Sequence, residues 1–137
     1  MFGKNSMSTN VSKAELVAFL PILNYERENG LLNITGAGVN KLTLNQIGGR
    51  LHLNVIVALS NVAIGKHHLN ILLRTERSHP QSIPLIFEAD QFVPLQVDTF
   101  SVEFSLLHVG WYTLQLQYQE KILSSVPILV EVKQLVS

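Results

Sequence analysis

Apolar side chains recur at every second position through most of the chain, which is the period of strands with one face against a core. Leu51, Leu53, Val55, Val57 and Leu59 share one face, with His52, Asn54, Ile56 and Ala58 on the other. Leu69, Ile71 and Leu73 alternate with His68, Asn70, Leu72 and Arg74, and Ile83, Leu85 and Phe87 alternate with Pro84, Ile86 and Glu88. The same alternation carries Phe100, Val102, Phe104 and Leu106, then Tyr112, Leu114, Leu116 and Tyr118, and finally Val126, Ile128, Val130 and Val132.

Turn chemistry separates these runs. Ser60-Asn61 with Gly65, Ser78-His79-Pro80, residues 91–98 around Pro94, His108-Val109-Gly110 and Gln119-Glu120-Lys121 are the breakers. Residues 15–24 form a further strand candidate containing Pro21, which cannot donate to a ladder and so predicts an edge or a bulge. Asn29-Gly30 then predicts a tight turn with positive φ, followed by a strand over residues 31–35 that Gly36-Ala37-Gly38 ends. Ser12-Lys13-Ala14-Glu15 resembles a helix capping box, but the apolar run that follows, split by Pro21, favours strand. The pattern predicts about eight strands at regular spacing: an all-β, antiparallel β-sandwich. Residues 1–13 are polar and aperiodic, predicting a flexible N-terminal tail, with residues 14–137 as one sandwich domain.

Composition narrows the function classes. The chain has 137 residues, no cysteine, and ten Lys+Arg against ten Asp+Glu, for a net charge of zero. Disulfides, thiolate metal sites and cysteine nucleophiles are excluded, and a general nucleic-acid partner is not expected. No apolar run approaches the ~20 residues of a membrane-spanning helix and the first residues carry no signal-like apolar stretch, so a soluble, cytoplasmic protein is expected. Gly36-Ala37-Gly38 lacks the third glycine and the Lys-Ser/Thr pair of a phosphate loop. His67 and His68, adjacent on a strand, point to opposite faces, and solvent-facing histidines are expected rather than a metal site. Glu88, Asp90, Asp98 and Glu103 read as a solvated face rather than an acid/base pair. No catalytic residues, cofactor or metal ligands are therefore expected, and the chain reads as a non-enzyme.

Two features point to contact surfaces. Ile56, Leu72, Ile86 and Leu129 lie out of phase with their apolar stripes, which implies cover by a loop or by another chain. Trp111 falls opposite Tyr112, whose ring is in phase with the core; Trp111 therefore points outward. Ile56, Leu72, Ile86 and Trp111 are the interface candidates. Charge is also uneven. Lys41, Arg50, Lys66 and Arg74 have no acid among them in residues 29–75, whereas residues 78–120 carry five acids and no Lys or Arg. Complementary patches favouring a homo-oligomer would follow if these halves form separate surfaces, and the asymmetry would vanish if they interleave.

The run from Tyr25 to Gly36, the strand over residues 51–59, Gly65-Lys66-His67-His68-Leu69 and the Gly110-Trp111-Tyr112 corner resemble an uncharacterised bacterial family of small β-sandwich proteins. The resemblance spans residues 14–133. It implies an immunoglobulin-like sandwich and carries over no activity, cofactor or site residue. The expectation is a non-enzymatic module for protein binding or structure, acting through sheet faces or edge strands and self-associating. The alternative is a small-ligand or carbohydrate-binding sandwich using an end near His79, residues 91–98 and His108.

Overall fold

A computed structural model describes residues 14–44, 50–76, 78–106 and 108–132. The tail expected over residues 1–13 lies outside them. Among the described residues nine strands form two sheets: β1 (Glu15–Glu28), β2 (Leu31–Ala37), β3 (Lys41–Leu44), β4 (Arg50–Val62), β5 (Gly65–Thr75), β6 (Ser78–Ala89), β7 (Val93–Ser105), β8 (Gly110–Tyr118) and β9 (Lys121–Val132). One sheet has the order β2-β1-β4-β7, and the other β3-β9-β8-β5-β6. No helix long and apolar enough to cross a membrane occurs among the described residues.

The period-two stripes meet between the sheets. Leu51, Leu53, Val55, Val57 and Leu59 join Leu69, Ile71, Leu73, Val102, Phe104, Tyr112, Leu114, Leu116 and Ile128 in one core cluster. The part of the helix candidate that is described, residues 15–20, is strand. The ninth strand is β3, four residues long and paired in parallel with β9. Pro80 and Pro94, read as breakers, lie inside β6 and β7. Both strands are sheet edges, where a missing N–H costs no ladder bond. Pro21 sits in β1 beside β4, just before pairing with β2 begins at Ile22. Its carbonyl, on the side away from β4, accepts the Gly38 and Val39 amides. The two edges β6 and β7 are joined by the Gln81 carboxamide, which donates to the Ser105 carbonyl at 2.7 Å and accepts the Ser105 amide at 2.8 Å.

The β1–β2 hairpin does not stay in its sheet. Val97 is opposite Ala58, which is opposite Ala18. Arg27 lies so far along β1 from Ala18 that a flat sheet would hold it roughly 30 Å from Val97, at ~3.3 Å per residue. Yet Arg27 Nη2 donates to the Val97 carbonyl at 3.2 Å. β1 therefore leaves the sheet after Ile22, where outward-facing Asn54 donates to the Leu23 carbonyl at 3.2 Å. The hairpin crosses the sheet's outer face towards β7.

The charge asymmetry of the sequence does not survive folding. Because β4 pairs with β7, Arg50 and His52 both reach Glu103, at 2.6 and 3.1 Å, and Lys41 reaches Glu131 at 2.9 Å. Lys66 stands opposite Glu88 in register. The two halves interleave, so the proposed basic and acidic sides do not form.

Candidate functional site

The strand after the β7–β8 link fixes the orientation of Trp111. Tyr112 is buried and its hydroxyl donates back to the His108 carbonyl at 2.8 Å, so the corner is tied down from inside. Gly110 takes φ 120°, a value that L side chains avoid. Alternation then sends Trp111 to the opposite face, where it is 62% exposed.

An open groove of about 610 Å³ lies against it, walled by Pro80 and Val109. Arg74 and Thr113 are opposite each other in the β5–β8 register and supply the floor, and Thr75 and Glu76 enter from the β5–β6 turn. The Arg74 guanidinium donates through Nε to Gln115 Oε1, which directs it and leaves both Nη groups without a partner among the described residues. Among the described residues the Glu76 carboxylate has no ion-pair or hydrogen-bond partner. The groove therefore combines an indole, a held cation, a carboxylate unpaired among the described residues and two threonine hydroxyls.

The four interface candidates do not share a surface. Trp111 and Ile86 are exposed, each at 62%, but both Ile56 and Leu72 are only 8% exposed. Ile56 lies on the outer face of the four-stranded sheet, where it, Ala58 and Ile22 are all buried within the chain itself. Of the two covers the sequence allowed, the one present comes from the chain. Leu72 stands between Gln115 and Ser82 in register and is buried on the face it shares with them. Ile86 is opposite His68, at the far end of β5 from the groove. Leu129 is half-buried directly across from Trp111.

His67 was expected at the surface and is instead fully buried. Nε2 meets the Ala63 carbonyl at 2.7 Å and Nδ1 meets the Tyr118 hydroxyl at 2.8 Å. A carbonyl only accepts, so Nε2 carries a proton, and in the neutral ring Nδ1 accepts from the Tyr118 hydroxyl. Phe87 stacks on the ring with centroids 4.7 Å apart, and Tyr118 at 5.9 Å. Burial raises the Tyr118 pKa, and a hydrogen bond from the Gln119 side chain opposes the rise. This cluster is a satisfied structural network with no open face. The alternation rule was right about opposite faces, but the core stripe that continues from Leu69 to His67 was the overlooked signal.

The remaining chemistry disperses. Glu103 is on the outer face and held by Arg50 and His52, whereas Asp98 alternates to the other side and accepts from Gln96 at 2.7 Å. No group of three or more His, Asp or Glu is placed to hold a metal ion among the described residues. His79 and His108 lie at the groove's end of the sandwich, but residues 91–98 begin at the opposite end, beside Val62. The ligand-binding end suggested by the sequence is thus split. Its surviving part flanks the Trp111 groove.

No protein-family model and no curated protein matches the chain. Solved structures do. The chain is similar to part of the β-glucosidase from Listeria innocua, with TM-score 0.54, 12% identity and 92% of this chain covered. The same enzyme in complex with glucose gives TM-score 0.52, 14% identity and 88% coverage, and with isofagomine 0.53, 13% and 92%. The chain spans 17%, 16% and 17% of those enzyme chains. At this identity the likeness is one of fold: an all-β sandwich.

Proposed function

We propose that this protein is a non-catalytic recognition module on an immunoglobulin-like sandwich, and that it engages its partner through the Trp111 groove. The carrying observation is a large aromatic side chain held 62% exposed by a tied corner, beside a groove that Arg74, Thr75, Glu76 and Thr113 line with polar groups. A Trp left in water at a rigid site is a typical anchor of binding surfaces. The tyrosine corner, the crossing from β4 to β5 between sheets and the parallel β3–β9 pairing support the immunoglobulin-like reading. Ile56 and Leu72 are each only 8% exposed, so the reading rests on Trp111 rather than on the four residues together.

The test is a binding screen of wild-type protein and Trp111→Ala against soluble oligosaccharides and short peptides, with folding verified by circular dichroism. The reading expects at least one ligand that wild type binds without converting it and that Trp111→Ala binds at least about tenfold more weakly. Binding indifferent to Trp111, or turnover of the ligand, contradicts it.

A further inference from the structure

We propose that the groove takes a pyranose ring of a carbohydrate, stacked on the Trp111 indole with its hydroxyls bridging Arg74 and Glu76. This rests on the reading of the groove as the recognition surface and names its ligand class.

Each wall of the groove excludes some occupants. A small anion would face the Glu76 carboxylate, and a small cation would face the Arg74 guanidinium. A polyproline segment docks between aromatic side chains, whereas Trp111 is the one aromatic lining this groove among the described residues. An extended peptide adds to a sheet edge, but β8 and β5 are paired on both sides. The nearby edge strand β6 carries Pro80, which has no N–H to offer.

A sugar ring meets every condition. Its flat C–H face matches an exposed indole, and each hydroxyl both donates and accepts. One hydroxyl donates to the Glu76 carboxylate while a neighbour accepts from Arg74 Nη, the guanidinium being directed by its bond to Gln115. Thr75 and Thr113 add hydroxyls that switch role as needed. The volume, near 610 Å³, is in the range of small-ligand sites. No bond is made or broken in this proposal.

The experiment uses the intact chain and soluble tetrasaccharides built from glucose, galactose, mannose, xylose or N-acetylglucosamine, with a decaproline peptide as the competing probe. Trp111 is the only tryptophan, so its emission reports the site directly, and calorimetry covers variants lacking it. At least one glycan is expected to give a saturable change. Glu76→Gln and Arg74→Met should each weaken it about tenfold, and Trp111→Phe should retain part of what Trp111→Ala loses. Arg74→Met keeps an unbranched apolar stem of similar length, and circular dichroism verifies that the fold is preserved. If no glycan binds but decaproline does in a Trp111-dependent way, the carbohydrate assignment fails and the recognition module stands. If no probe binds, or glycan binding persists in Trp111→Ala, both fail. Glycan binding unchanged in both Glu76→Gln and Arg74→Met overturns the bridging geometry and with it the proposal.

Discussion

Tyr118→Phe removes one oxygen from the only buried polar side chain cluster among the described residues, and its cost follows from the geometry. The hydroxyl donates to His67 Nδ1 at 2.8 Å, and His67 is fully buried between Phe87 and Tyr118. Deleting the donor leaves Nδ1 without a partner in an apolar site. An orphaned buried acceptor costs about 1–3 kcal/mol, so the expected loss is about 2 kcal/mol. For a domain of this length that is a fall in Tm on the order of 8 °C. Urea denaturation followed by circular dichroism measures it.

The cycle is completed by His67→Phe and the double variant. Replacing both partners by apolar rings removes the orphaned atom, so the double variant should recover about 1 kcal/mol relative to additivity. A loss below about 0.5 kcal/mol in Tyr118→Phe, or strict additivity, would refute the tautomer and the hydrogen bond assigned here. The alkaline limb adds a second readout. Burial raises the Tyr118 pKa above the unfolded value of 10.0, so the folded state favours the neutral phenol. The associated stability is fully present below pH 10 and is lost as pH rises through the folded pKa. Tyr118→Phe should flatten that limb.

Three further outcomes test other parts of the fold. Ile56→Asp and Leu72→Asp each place a carboxylate in a covered site and should cost about 3 kcal/mol or more, whereas Ile86→Ser should change stability by less than about 0.5 kcal/mol; urea midpoints decide. Glu120 holds φ 69° in the β8–β9 turn, so Glu120→Gly should stabilise by roughly 0.5–1 kcal/mol, and a loss of stability would show that the turn gains from the side chain. Arg27→Met should speed amide exchange of residues 24–34 without moving the global midpoint by more than about 1 kcal/mol; unchanged exchange would mean that the bond to Val97 does not hold the hairpin.

The core was legible because its signal is local. Period-two stripes such as Leu51 to Leu59 and Tyr112 to Tyr118 are core members in the structure, and the Asn29-Gly30 turn has both residues at positive φ. The buried Tyr112 ring and the outward Trp111 followed from phase. What escaped was non-local. β3 is four residues without a stripe, and its parallel partner β9 is far along the chain. The hairpin that brings Arg27 to the Val97 carbonyl departs from β4, which no periodicity encodes. The groove depends on three separate segments meeting, residues 74–76, Pro80 and residues 109–113. Only one of its walls, Trp111, carried a signal of its own. His67 was misplaced because residue type outweighed phase: the stripe of Leu69, Ile71 and Leu73 continues backward through it.

The most direct test of the account is a map of amide and indole N–H shifts by two-dimensional NMR during titration with the glycan that binds best. The account predicts that the Trp111 indole and the backbone of residues 74–76 and 109–113 shift together and saturate. Shifts gathered instead at the opposite end, around exposed Ile64 and Phe92, with Trp111 silent, would contradict it.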